Sequence, residues 1–136
     1  MNRSKGSNLS LEEKIVRCKQ GIKKSYDIID RIDLRHINIK MLDTLIKDLR
    51  NIYDSFEKIY STESPDEVCK YIRSFDALQL LLHDTMSELQ IASYTLDVFD
   101  GLELMERVES MRLIHKNFYN CRMSLKEALH VFLLVE

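Results

Sequence analysis

The sequence predicts an all-α protein, and three observations lead to this prediction. Apolar residues recur at intervals of three, four and seven along most of the 136-residue chain, as they do on one face of a helix. Residues that favour helix starts precede these stripes. The chain has only three glycines and one proline, which is little material for the turns of a β fold. We expect an antiparallel up-down-up-down four-helix bundle with long third and fourth helices, because short connections make successive helices antiparallel neighbours.

The predicted bundle occupies nearly the whole chain as a single domain. Residues 1–9 are polar and aperiodic, and we expect them to form a flexible N-terminus. The remaining residues, 10–136, are numerous enough to bury a core of their own. The predicted helices span, by residue number, about 10–33, 38–61, 64–98 and 100–135.

The first predicted helix begins at Ser10, with Glu13 as its capping-box partner. Gly21 lies in its interior, where glycine costs about 1 kcal/mol relative to alanine and can mark a close contact with another helix. The apolar stripe of this helix consists of Leu11, Ile15, Cys18, Ile22, Ile29 and Ile32.

The second predicted helix starts after Asn38, which is a good N-cap residue. No glycine or proline enforces a break between residues 33 and 38, so one bent helix is an alternative. The second stripe consists of Leu42, Leu45, Leu49, Ile52, Phe56 and Ile59. A parallel row runs beside it at intervals of seven and consists of Ile39, Ile46, Tyr53 and Tyr60. The combined face is wider than a two-stranded coiled coil needs, which favours a globular bundle.

The third predicted helix is the central strut of the bundle. Its start is marked by Ser64 as N-cap, Pro65 at the first helical position and Glu67 three residues after the cap. Apolar residues then recur every seven positions, which predicts one helix of roughly 35 residues. These heptad positions are Val68, Phe75, Leu82, Leu89 and Leu96.

The fourth predicted helix follows a one-residue slip of the stripe between Leu96 and Leu104. Asp100 and Glu103 have the spacing of a capping box, so we expect a new helix at Asp100. A kinked continuous helix would also absorb the slip. The apolar stripe of this helix, which we expect to face the core, consists of Leu104, Met111, Ile114, Phe118, Cys121, Leu125, Ala128, Phe132 and Val135. The chain's last helical turn, residues 131–135, is apolar on every side, and such a surface favours association. We expect that this turn closes the end of the bundle, that it docks on a partner or a second copy, or that the natural chain continues.

The sequence contains no recognisable catalytic pattern. Glu127 and His130 have the spacing of one di-iron ligand pair, but both lie off the apolar stripe, and no second pair is present. The chain also lacks a glycine-rich phosphate loop and the local signature of a nucleophile. We therefore expect a protein that is not an enzyme and that has no cofactor and no metal site.

The cysteines and the hydropathy pattern suggest an intracellular protein. Cys18, Cys69 and Cys121 are odd in number and far apart, which fits a reducing compartment better than a disulfide framework. There is no leading apolar segment and no apolar run long enough to cross a bilayer. We expect a cytoplasmic or nuclear location and no membrane span.

The leading functional expectation is a non-catalytic adaptor or scaffold subunit that works through helix–helix contacts. The amphipathic helices carry more apolar surface than one bundle needs, so a protein partner or a second copy of the chain is expected to cover the excess. We predict either a homodimer or a subunit of a larger complex. The predicted partner-binding residues are Leu80, Leu81, Val131, Phe132, Leu133 and Leu134.

An alternative is a phosphate-directed binder of nucleic acid or anionic lipid. The first 60 residues carry a net charge of +4, whereas residues 61–136 carry −6. Clustered lysines raise the local potential and attract phosphate groups, although such a cluster is more often a solvent-facing side of a helix. The candidate anion-binding residues are Lys14, Arg17, Lys19, Lys23 and Lys24.

Overall fold

The computed structural model describes residues 9–135, and this part of the chain is helical throughout apart from short connections, with no strand. The all-α class is therefore confirmed. The predicted flexible N-terminus lies, except for Leu9, outside the described residues. Two short 3-10 turns, Leu34–His36 and Phe99–Gly101, lie between helices. The α-helices are α1 (Leu11–Arg31), α2 (Ile39–Thr62), α3 (Pro65–Cys69), α4 (Ile72–Asp97) and α5 (Leu104–Val135).

The predicted caps of the first two helices are present. The Ser10 hydroxyl accepts a hydrogen bond from the backbone N–H of Glu13, and the Glu13 carboxylate accepts one from the backbone N–H of Ser10. The Asn38 side chain accepts a hydrogen bond of 2.9 Å from the backbone N–H of Met41. Because Asp33 also caps the intervening 3-10 turn, the connection is a true break and not a bend in one helix.

The predicted third helix over residues 64–98 is interrupted. At Tyr71 the backbone has φ −116° and ψ 5°, outside the helical region. The N–H of Tyr71 donates to the carbonyl of Val68, three residues back, so α3 closes with a tightened turn. The break keeps Val68 buried and places the Tyr71 ring 5.6 Å from the ring of Phe75. The packing of these side chains, together with that of Phe75 against α2, outweighs the uninterrupted heptad pattern.

The last helix begins at Leu104 and not at Asp100, because the predicted capping box does not form. Instead, the Glu106 carboxylate accepts a hydrogen bond from the backbone N–H of Glu103. The guanidinium of Arg107 donates to the backbone carbonyls of residues 100 and 102, satisfying groups that a continuous helix would have used itself. The predicted new helix is therefore present, but it begins four residues later than Asp100, and the kinked continuous helix does not occur.

The four long helices pack around one core. Helix α4 contacts α5 and α2, and α1 contacts α5 and α2, a pattern compatible with a four-helix bundle. The core contains nearly all of the predicted stripe residues that lie between Leu11 and Phe132. Its largest fully buried side chains include four rings, those of Phe56, Phe75, Phe118 and Phe132.

The predicted close contact at Gly21 is present between α1 and α2. A Cβ atom built on Gly21 would lie 2.8 Å from Cδ1 and 3.1 Å from Cγ1 of Ile52. Real Cβ contacts are rarely this short, so the absence of a side chain at Gly21 lets the two helices approach. Tertiary packing thereby explains why a glycine, despite its weak helix propensity, is present inside α1.

Hydrogen bonds between polar side chains define the register of neighbouring helices. The amides of Asn117 and Asn120 on α5 both donate to one carboxylate oxygen of Glu88 on α4. These bonds lie in the α4–α5 contact and fix how far one helix is shifted along the other. The other links between neighbouring helices include Lys14–Glu63, Tyr60–Asp76, Gln79–Glu57 and Cys121–Thr85.

Candidate partner-binding surfaces

Three of the predicted partner-binding residues are well exposed. Leu80 on α4 is 62% exposed, and Leu133 and Leu134 at the end of α5 are 64% and 77% exposed. Such large apolar side chains are not stabilised by contact with solvent, so a contact that covers them gains free energy. These three side chains are accessible at the surface, and their contact with a partner stays a prediction.

The other three predicted partner-binding residues belong wholly or partly to the core. Phe132 is fully buried, so its prediction as a contact residue is corrected. It continues the inward stripe of Leu125 and Ala128, and the helical period places it toward the bundle even in the all-apolar last turn. Leu81 and Val131 are half-buried and pack against the core.

Leu80 does not lie at the same level as the end of α5. The contact between Thr85 and Cys121 places Leu80 beside about residue 126 of α5. Leu133 is then roughly 10 Å farther along the bundle at 1.5 Å per residue. The exposed leucines thus form two patches, and a single short contact would not cover both.

The predicted basic face of α1 is partly neutralised. Lys14 is half-buried and forms an ion pair with Glu63 at the end of α2. The Lys23 ammonium lies 2.7 Å from the Asp27 carboxylate one turn later on the same helix. Both lysines are therefore engaged with carboxylates of this chain.

Lys19 and Lys24 line a shallow outer surface of α1, whereas Arg17 is not among its lining residues. Arg17 and Lys24 are exposed, and Lys19 is half-buried. A phosphate group that approached this surface would also meet the Asp27 carboxylate, which reduces the attraction. Among the described residues, the surface is lined by Val16, Lys19, Gln20, Lys23, Lys24, Asp27, Ile28 and Arg31.

The structure reveals a further surface that the sequence reading assigned to the core. None of the α5 residues from Leu104 to Leu113 is buried, whereas the buried stripe begins at Ile114. Leu104 is 75% exposed although it stands at the start of the predicted stripe. A groove runs along this part of α5, and we name it the α5 end groove. It is lined by Phe99, Leu104, Arg107, Val108, Met111, Arg112 and His115.

The buried cysteines are poor candidates for chemistry. Burial raises the pKa of the Cys18 thiol to about 11 and that of the Cys121 thiol to about 12, where the nearby Glu88 carboxylate adds to the effect. A thiol must lose its proton to act as a nucleophile, so neither is reactive at neutral pH. Cys69 is the exposed one of the three.

The Glu127 and His130 pair, which has the spacing of di-iron ligands, is not part of a metal-binding group in the described residues. Glu127 and His130 are both exposed, and within residues 9–135 no group of three or more His, Cys, Asp and Glu side chains is placed to hold a metal ion. None of the helices that the structure describes is long and apolar enough to cross a membrane. No family model, curated protein or solved structure matches this chain.

Proposed function

We propose that this protein is a non-catalytic adaptor or scaffold subunit that acts through helix–helix contacts, as a homodimer or within a larger complex. The observation that carries the proposal is the exposed apolar surface at both ends of α5. Leu104 lies at one end, and Leu133 and Leu134 lie at the other. Burial of apolar area is the main source of affinity in helix–helix association, so these ends are suited to contact other helices.

The proposed framework is the antiparallel up-down-up-down bundle. Lys14, near the start of α1, pairs with Glu63, just beyond the end of α2. Tyr60, near the end of α2, donates a hydrogen bond of 2.8 Å to Asp76, near the start of α4. Contacts that join the start of one helix to the end of its neighbour are those of antiparallel pairs, and they support this topology.

The first test is the solution mass of the protein, measured by light scattering over a series of concentrations. A homodimer should give twice the 16.1 kDa of one chain. The double variant Leu133→Ser/Leu134→Ser should then return the mass to that of a monomer. The helical content, followed by circular dichroism, should stay near that of the wild type because both side chains are exposed.

A matched control variant is Tyr94→Ser, which removes a comparably exposed ring from α4. It should leave the mass of the dimer unchanged. If the double leucine variant stays dimeric, the C-terminal end of α5 is not the interface. If the wild type is monomeric at every concentration, the homodimer form of the proposal is refuted.

The second candidate function is phosphate-directed binding by α1. It is favoured by the exposure of Arg17 and Lys24 on one helix. Binding to phosphate groups releases counterions, so affinity for duplex DNA or anionic vesicles should fall steeply with added salt. Replacing both residues with glutamine should reduce that affinity and its salt dependence. Binding that is insensitive to both changes would exclude this function.

A further inference from the structure

We propose that the α5 end groove binds an acidic amphipathic helix of a partner protein. The inference rests on the proposed function, because it specifies the kind of partner that such an adaptor takes. Three features of the groove support it: its position along the bundle, its apolar floor and its positively charged lining.

The position of the groove matches a place in the bundle that α1 leaves open. Helix α1 ends at Arg31, and the contacts between successive helices place Arg31 level with about residue 112 of α5. Helix α5 extends roughly eight residues farther toward Leu104, which is about 12 Å at 1.5 Å per residue. Along this length α1 itself does not lie beside α5, so the groove lies where α5 lacks this helical neighbour.

The floor of the groove has the spacing that another helix recognises. Leu104, Val108 and Met111 stand at positions i, i+4 and i+7 of α5, which is the seam of a helix pair. Phe99 of the preceding turn lines the groove with them. A helix whose own apolar residues have this spacing can bury the three side chains along about two turns.

The charge of the lining determines the chemistry of the occupant. The positively charged side chains that line the groove are those of Arg107 and Arg112, and no Asp or Glu is among its lining residues in the described part of the chain. Arg112 has an ion pair of 3.4 Å with Glu109, but both side chains are strongly exposed, and such pairs contribute little. A partner helix with carboxylates beside its apolar stripe therefore complements this surface.

Arg107 is held in position without a carboxylate partner among the described residues. Its Nε and Nη2 atoms donate to backbone carbonyls of the preceding turn at 3.0 and 2.9 Å. Its guanidinium also lies 5.6 Å from the centre of the Phe99 ring. Since neutral carbonyls leave the positive charge uncompensated, a carboxylate from a partner can pair with a side chain that is already ordered.

The test uses the full chain and a fluorescent helical peptide of about 18 residues, long enough to form a helix on binding. The peptide has leucines at the i, i+4, i+7 spacing and glutamates on the flanking positions. A second peptide has lysines in place of the glutamates. We expect the acidic peptide to bind at least about tenfold more tightly than the basic one, measured by fluorescence anisotropy.

A matched pair of variants locates the binding. Arg112→Glu and Lys116→Glu change the net charge equally at neighbouring exposed positions, but only Arg112 lines the groove. Arg112→Glu should weaken binding of the acidic peptide by about fivefold or more, and Lys116→Glu by less than about twofold. Val108→Asp should weaken it further, and circular dichroism checks that each variant is folded.

Several results would overturn the inference. One is no binding of the acidic peptide up to about 1 mM; another is an equal effect of the two glutamate variants. Binding of anionic vesicles that depends on Arg112, without binding of the acidic peptide, would assign the groove to lipid instead. Leu133→Ser/Leu134→Ser should not affect peptide binding. The mass measurement can therefore refute the homodimer, and the peptide titration can refute helix binding by the α5 end groove, each without the other.

Discussion

The close contact between Gly21 and Ile52 yields a prediction whose magnitude follows from two distances. The better helix propensity of alanine should by itself raise the free energy of unfolding of Gly21→Ala by about 1 kcal/mol. The new Cβ atom, however, would lie 2.8 Å from the Ile52 Cδ1 atom and 3.1 Å from Cγ1. Moving that side chain away from its preferred rotamer costs about 0.5–1.5 kcal/mol. The two effects offset one another, and we expect a net change within about 0.5 kcal/mol.

The offset should disappear when the obstructing atom is removed. Ile52→Val deletes Cδ1 and should by itself lower the free energy of unfolding by about 0.5–1.5 kcal/mol. In that background, Gly21→Ala should raise the free energy of unfolding by about 0.5–1 kcal/mol, since only the 3.1 Å contact remains. The two substitutions should therefore be coupled by up to about 1 kcal/mol.

The assay is urea unfolding of the wild type, both single variants and the double variant, followed by circular dichroism. Equal slopes of the four transitions would show that the free energies can be compared directly. If the single effects add within about 0.3 kcal/mol, Ile52 does not limit the space at Gly21, and the reasoning is refuted. The reasoning would also be contradicted if Gly21→Ala stabilised the wild type by the full amount expected in an exposed helix.

Four further predictions concern a helix cap, the core, the reactivity of the thiols and the pH dependence of stability. Ser10→Ala removes the capping box of α1 and should lower the free energy of unfolding by about 1 kcal/mol in urea titrations, whereas an unchanged midpoint would contradict this. Phe118→Ala deletes a fully buried ring and should cost about 3–5 kcal/mol in the same assay; a cost below about 1 kcal/mol would contradict its burial. With a thiol reagent, Cys69 should react in the folded protein, while Cys18 and Cys121 should react only after unfolding; equal rates would refute their burial. Burial raises the pKa of Cys18 from its ordinary 9.0 to about 11. The contribution of this protonated thiol to the free energy of unfolding is therefore full below pH 9.0 and is lost as the pH rises toward 11. Urea unfolding at several pH values measures this loss.

The features that the sequence predicted correctly depend on neighbours within one helical turn. The capping box of Ser10 and Glu13 joins residues three positions apart, and the N-cap of Asn38 acts over the same distance. The inward face of each helix follows from a period of 3.6 residues. Such signals need no knowledge of the other helices, so they can be read directly from the chain.

The interruption at Tyr71 could not be predicted in this way. The heptad positions run through it without a gap, and neither glycine nor proline marks it. It arises where α3 and α4 join beside the end of α2, where the Phe75 ring lies 5.3 Å from that of Phe56 and 6.0 Å from that of Tyr60. Contacts between residues far apart in the chain decide the backbone there.

In the candidate surfaces, too, some features follow from local spacing in the sequence and others from contacts between helices. The exposure of Leu133 and Leu134 was expected from an apolar last turn, but the burial of Phe132 within that turn depends on which side faces the bundle. The α5 end groove was missed because its leucine and methionine continue the apolar stripe of α5. An apolar stripe shows which side of a helix is to be covered, but not how far along the helix the covering neighbour extends.

The amino-acid sequence by itself determined the all-α class, the caps of the first helices and the inward face of each helix, because these depend on local spacing and composition. Only the tertiary structure decided where each helix is covered. Leu104 and Leu125 belong to the same predicted stripe, yet Leu104 is exposed and Leu125 is fully buried. The difference arises because α1 lies alongside only part of α5, and the lengths and register of packed helices are set by all of their contacts together.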